Sequence, residues 1–398
     1  MTEATQPRLD RGTKLPAAVL AAALFALLAF APFASAAADP VESGSASITL
    51  KKGFVTSLKK RGVKISKVGS TRLEGKKATL RVTGGEMDPL TGRGTLNLAG
   101  GVEFRAAKMK APVRALVLDT IKKGLFAKIG GKRVKLAKLA GFSFFRNGFG
   151  LDFNVKKVKV TGAAAKRLNK KLGFKRGPKP FKRNRLMARA RAQEQPGTVT
   201  VLPGNNVAFN ANPATLGKLA KVKVDVKPIA PTQVKGLGSF ELPIAGGAIA
   251  PDASAGVVQT SGGVVLTQKL PTGPTTALET EITLANFWVD LTAKTVSVEV
   301  TLKSNANEDL NRGNIGRASV ADLDLTGATV ISNPAARTVT VLNAGATLQP
   351  VAAEVLNGFV KVYEGDLRAQ GKTAEEAKQE QIVAGDPLGV FSFTAQTQ

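Results

Sequence analysis

Four places in the chain carry residue types and spacings that could do chemistry. Ser57 and Lys60 form a Ser-x-x-Lys step, which on a helix sets a hydroxyl beside an amine able to activate it. Asp322 and Asp324 flank Leu323; on a strand both carboxylates share one face, as paired acids for glycoside hydrolysis must. The segment 305–314 is rich in Asn, Asp and Glu oxygens of the kind Ca²⁺ prefers. Trp288 is the only tryptophan, and it is expected to pack in a core or interface rather than to present a sugar platform.

Each signal is isolated. The Ser-Asp-Asn and Lys-Thr-Gly companions of Ser-x-x-Lys are absent, and 305–314 lacks EF-hand spacing. There is no Gly-x-Ser-x-Gly elbow and no P-loop. The composition excludes more, because the chain has no Cys and no His. Disulfides, thiolate nucleophiles, Cys- or His-ligated metals and imidazole bases are thereby removed. No catalytic residue and no metal site is assigned, and a non-enzymatic protein is expected.

The elements that carry these residues are organised by charge and by repetition. The chain has a net charge of +28, all of it in one region: residues 41–195 hold 39 Lys+Arg against 8 Asp+Glu, while 196–398 hold 15 against 18. Such asymmetry points to an anionic partner for the first half. The densest tract, Lys166 to Arg191, contains 12 basic residues and no acid. With Pro178 and Pro180 at its centre it is expected to form an extended linker over 175–197. Lys175, Arg176, Lys179, Lys182, Arg183 and Arg185 are the candidate contacts to an anionic envelope polymer or an anionic lipid surface. Only Phe181 offers an aromatic face there, so specific nucleic-acid binding is not expected.

The first 38 residues look like an export signal. Arg8, Arg11 and Lys14 precede an apolar run from Leu15 to Phe33, and Ala34-Ser35-Ala36 closes it, with cleavage expected after Ala36 or Ala38. A secreted or surface-associated protein follows, with no transmembrane helix in the mature chain.

The mature chain repeats itself. Residues 78–106 align on 240–268 at an offset of 162, with Gly84, Gly85, Gly94, Gly100 and Gly101 falling on Gly246, Gly247, Gly256, Gly262 and Gly263. Glycines at fixed offsets inside apolar alternation mark turns or bulges. Short helical patterns open each unit (54–60 and 214–220) and close it (Ala164–Asn169 and Ala352–Asn357). Between them the period is two, as in Thr295–Leu302, the signature of a half-buried antiparallel sheet. The expected fold class is mainly β: two repeated antiparallel β-rich domains, 45–174 and 198–393, each with short flanking helices. The second unit carries an exposed helix over 366–380 as an insertion.

This layout resembles the HtaA-type, haem-transport-associated domain of exported actinobacterial proteins. The resemblance rests on the Phe-containing opening turn at Phe54 and on the Gly-x-apolar-x-apolar-x-Gly strands, Gly94 to Gly100 and Gly256 to Gly262. It implies a haem-associated, cell-surface module in two degenerate copies. In haem-binding members a tyrosine in the opening turn and a histidine after the second glycine serve the porphyrin. Here those positions are Ser57 or Leu58, and Gly101 and Gly263. Haem iron takes His, Tyr, Cys or Met; the mature chain offers Tyr363, Met87, Met109 and Met187, none at the motif. Tyr363 is the one weak candidate for the cofactor. The expected function is therefore a binding or structural role at the cell surface, without family-type haem ligation. Its rivals are polyanion adhesion through the basic half and haem transport with unusual ligands.

Overall fold

The computed structural model describes residues 38–398, so the leader expected over the first 38 residues lies, but for Ala38, outside the described residues. Among the described residues no helix is long and apolar enough to cross a membrane.

The first half closes an antiparallel sheet of eight strands into a barrel. In spatial order they are Gly94–Ala106, Met109–Asp119, Gly124–Ile129, Lys132–Asn147, Gly150–Val160, Leu186–Pro196, Asp39–Leu50 and Lys77–Met87, which returns to Gly94–Ala106. The second half repeats the circuit with Ala277–Asp290, Thr295–Ser304, Gly313–Asp324, Thr338–Leu348, Pro387–Gln396, Asn206–Ala211 and Ser239–Ile249. Its closing strand is split into Gly256–Thr260 and Gly263–Pro271. Side-chain alternation sets the core: Val296, Val298, Val300 and Leu302 are buried, while Ser297, Glu299 and Thr301 between them are only partly buried and Lys303 after them is exposed.

The aligned glycines mark one shared device. Gly94–Ala106 pairs with Lys77–Met87 as far as Ala99, then with the extra strand Val63–Val68 from Gly101 onward. In the second half Gly256–Thr260 serves Ser239–Ile249, and Gly263–Pro271 serves Val224–Ile229. The change of partner needs φ +90° at Gly100 and +78° at Gly262, a region that disfavours a Cβ. A threonine seals each switch: Thr71 Oγ1 accepts from Gly101 N at 2.6 Å, and Thr232 Oγ1 from Gly263 N at 2.8 Å.

Two short helices cover one end of each barrel: Lys52–Lys59 and Gly162–Lys171 in the first, Pro213–Lys221 and Pro350–Ala369 in the second. Their starts follow from capping. Thr161 accepts from Ala164 N, and Asn212 accepts from Ala214 N with Pro213 in the first turn.

Two expectations are corrected. The tract 175–197 is not a linker: Leu186–Pro196 pairs on both sides within the first barrel, and Phe181 is fully buried in its core. Alternation at Met187, Ala188, Ala190 and Ala192 explains the strand, since small apolar side chains face inward between the arginines. The helix expected over 366–380 is the tail of the 20-residue helix Pro350–Ala369, broken at Gly371 (φ +73°) and followed by Glu375–Gln379. Asp366 and Glu380 are buried rather than exposed.

The barrels meet at the end opposite the helices. Phe149, at the tip of the hairpin between Lys132–Asn147 and Gly150–Val160, belongs to the second core. Asp39 Oδ1 accepts from Thr200 N at 3.2 Å and Oγ1 at 3.0 Å. Just inside lie ionic groups cut off from water, where unpaired charge is costly. Arg146, Leu151 and Glu194 form one row across three strands. Glu194 Oε2, Asp39 Oδ2 and both terminal nitrogens of Arg146 are buried with no hydrogen-bond partner among the described residues. Burial pushes the Glu194 carboxyl up to about 7, helped by the neighbouring Asp39 and Asp152 charges and opposed by a backbone hydrogen bond from Leu151 and by Arg146. Burial also raises Asp39 and lowers Arg146.

A folded carboxyl that holds its proton to about pH 7 stabilises the fold below its ordinary value of 4.5, and that contribution is lost as pH rises toward 7. Thermal unfolding should therefore show stability falling between pH 5 and 8, by on the order of 3 kcal/mol from this group. Glu194→Gln, which imitates the protonated form, should match the wild type at pH 5 and exceed it at pH 8. Parallel profiles for the two proteins would refute the assignment.

Candidate functional site

A cavity of about 100 Å³ lies in the second barrel beneath the helices Pro213–Lys221 and Pro350–Ala369. Its wall is formed by inward residues of the sheet, among them Val264, Leu266 and Phe287, and closed by Leu216 and Leu219 of the first helix. Thr215 and Ser319 are the only polar members of the lining. Thr215 Oγ1 donates to Pro387 O at 2.7 Å, whereas the buried Ser319 Oγ has no partner among the described residues. Ile315 and Val351 line the cavity yet are 45% and 61% exposed, so they mark its mouth.

The first barrel holds the same cavity, reduced to about 40 Å³. Matching hydrogen bonds, Lys51 N to Met187 O and Asn212 N to Leu388 O, set Phe54 against Thr215; the repeat offset sets Phe104 against Leu266. In the first barrel Phe181 meets Phe54 at 6.0 Å and Phe104 at 5.0 Å, both edge-on. Three phenyl rings fill what smaller side chains leave open in the second.

The structure does not gather the residues singled out for chemistry. Ser57 Oγ donates to Phe54 O within its own helix, and Lys60 is exposed at the helix end. Asp322 and Asp324 are exposed on the outer face, engaged by Gln349 and by Thr326. In 305–314, Asn307 caps the turn Glu308–Leu310 and Asp309 pairs with Arg312. Among the described residues no group of three or more His, Cys, Asp or Glu is placed to hold a metal ion. Trp288 is not core: it lies on the outer face, with the Arg317 guanidinium 4.0 Å over its ring.

The positions tied to haem by resemblance fare no better. Gly101 and Gly263 have no room for a side chain, because a Cβ would overlap the carbonyl of Val113 or of Leu284 on the adjacent strand. Tyr363 packs half-buried against the second core, away from the cavity lining. Met87 is buried elsewhere, Met109 is exposed and Met187 lines only the smaller cavity. The lining of the larger cavity holds no His, Tyr, Cys or Met, so it offers haem iron no ligand.

Lys175, Arg176, Lys179, Lys182 and Arg183 are exposed, and Arg185 is half-exposed. They lie on a segment fastened to the barrel: Asn169 Nδ2 donates to Phe181 O at 2.8 Å, and Phe181 N donates back to Asn169 Oδ1 at 3.2 Å. Sequence reading missed this clamp. Its signal was present, since Asn169 aligns with Asn357, which holds Ile382 in the same reciprocal way at 2.6 and 2.8 Å.

Two closed β circuits, each capped by an opening and a closing helix over an apolar cavity, define the class of this protein as a duplicated β-barrel. Residues 214–367, from the opening helix of the second barrel to its closing one, match the HtaA family model, described as Htaa. Two solved structures are similar. The C-terminal domain of HtaA from Corynebacterium glutamicum is 15% identical over 50% of this chain and 99% of that one, with a TM-score of 0.34. The N-terminal domain of the same protein is 12% identical over 49% and 98%, also with a TM-score of 0.34. No curated protein matches the chain.

Gly101→Ala and Gly263→Ala should each destabilise the protein by about 1–3 kcal/mol, as overpacking against backbone does. Gly217→Ala, in a helix with nothing within 4 Å of the added Cβ, should be neutral or stabilise by up to about 1 kcal/mol. Denaturant titrations check both; equal effects would show that the partner switch tolerates a side chain.

Proposed function

We propose that the protein is an exported, non-enzymatic module of the cell surface whose second barrel binds a small apolar ligand without iron ligation. The observation that carries this is the cavity itself: apolar throughout, opened by Ile315 and Val351, with one unpartnered hydroxyl at Ser319 able to meet one polar atom. The HtaA family match within that barrel supports a surface compartment and a haem-associated setting. The first barrel, filled by phenylalanines, acts as a structural copy.

A second reading rests on charge. The first half is also an adhesion element for an anionic partner, whether envelope polymer or lipid surface. Ion pairing there, among the described residues, is confined to Arg72 with Glu74 and Arg105 with Glu103. Adhesion of this kind weakens steeply with salt, through counterion release.

Haem titration of the protein should give no stoichiometric complex with a shifted Soret band, while an apolar fluorescent probe should bind and be displaced by short alkyl ligands. Ala352→Leu, which narrows the cavity, should weaken probe binding several-fold. A tight haem complex, lost in Tyr363→Phe, would overturn the proposal in favour of unusual ligation.

A further inference from the structure

The two barrels carry the same cap with opposite electrostatics. Asn184 N donates to Val160 O and Val160 N to Arg185 O in the first; Gly385 N donates to Leu348 O and Leu348 N to Asp386 O in the second. With the two asparagine clamps, these bonds set Phe181 against Ile382 and Arg185 against Asp386, at one offset of 201. At the same offset Lys179 stands where Glu380 stands. In the second barrel both acids neutralise the opening helix: Asp386 pairs with Lys218 at 2.9 Å and Glu380 with Lys221 at 2.8 Å. The first barrel keeps a lysine at the counterpart of Lys221, Lys60, and puts cations in place of both acids.

These cations converge instead of dispersing. Arg61 Nη1 donates to Pro178 O at 3.2 Å, and Arg185 Nη2 donates to Gly53 O at 3.2 Å. The segment thus lies along helix Lys52–Lys59, from Arg61 beyond its last turn to Gly53 in its first, and Lys59, Lys60 and Arg61 are exposed, as are Lys175, Lys179 and Lys182 of the segment. Holding like charges together opposes folding unless counter-charge is supplied. Phe54 and Phe181 are buried beneath, so no aromatic face is presented for stacking bases. Lysines act as mobile point charges, suited to a flexible chain of anions rather than to one fixed group.

We propose that this cap binds a flexible phosphate-bearing polymer, recognised by charge alone and held at the clamp-fixed surface rather than by the basic half at large. The proposal rests on the adhesion reading above and narrows it to one place and one chemistry.

The test uses the full chain and long-chain inorganic polyphosphate as probe, with affinity measured across a salt series. Lys179→Glu with Arg185→Asp grafts the second barrel's acids onto the first. It should weaken binding at least tenfold and flatten the salt dependence. Lys59→Gln with Lys60→Gln and Arg61→Gln should weaken it similarly. Arg114→Gln with Lys128→Gln and Arg133→Gln, a row on the barrel wall, should change it less than twofold. Equal losses from wall and cap variants would leave adhesion standing and overturn the cap. Absence of salt-sensitive binding in the wild type would overturn both. Oligothymidylate of matched charge should bind like polyphosphate; a marked preference for it, or for anionic vesicles, would overturn recognition by charge alone. Thermal unfolding of each variant reports whether it is folded.

Discussion

The fold depends on one strand serving two neighbours. With no cysteine and no metal cluster among the described residues, closure of each barrel is held by ladder hydrogen bonds and apolar burial. Gly94–Ala106 must pair with Lys77–Met87 to close the circuit and then leave it to pair with Val63–Val68. That turn away is possible because Gly100 takes a positive φ, and Thr71 receives the amide that the change of partner would strand. The second barrel divides the strand at the same place with Thr232. The strand half beyond this switch supplies Val264 and Leu266 to the wall of the cavity.

Given a common frame, the barrels differ by what fills it. Phe54, Phe104 and Phe181 occupy the first interior, and Thr215 and Leu266 replace two of them in the second. The edge-on contacts of these rings go with the smaller cavity, about 40 Å³ against about 100 Å³. The second gives up that packing and gains an opening. Phe149 of the first half packs into the second core and so joins the barrel with the smaller cavity to the one with the larger.

Much of this was legible in the sequence for a definite reason. A strand's period of two and glycines required by backbone geometry are local properties, so the repeat at 78–106 and 240–268 maps directly onto Lys77–Met87 with Gly94–Ala106 and Ser239–Ile249 with the split strand. The tract after Lys166 was misread because charge dominated its appearance. Alternating alanines at 188, 190 and 192 have little hydrophobic signal, yet they are the side chains small enough to lie inside a barrel beside outward arginines. Phe181 looked like a lone aromatic in a linker, because its partners Phe54 and Phe104 are distant in sequence. The cavity and the ionic junction were invisible for the same reason: each is assembled from strands that only closure brings together.

Charge distribution then acquires a structural meaning that net charge alone does not have. Lysines on a barrel wall are solvated and can be many at little cost, since exposed like charges several ångströms apart are screened within a Debye length. Lysines fastened beside one another by Asn169 and Phe181 cannot spread out to relieve their repulsion. In the second barrel the same fastening is accompanied by Glu380 and Asp386, which pair with Lys221 and Lys218. At those two places the first barrel carries Lys179 and Arg185 instead. Composition identified the basic half; the clamp of Asn169 on Phe181 fixes the segment that carries Lys179 and Lys182 to the barrel.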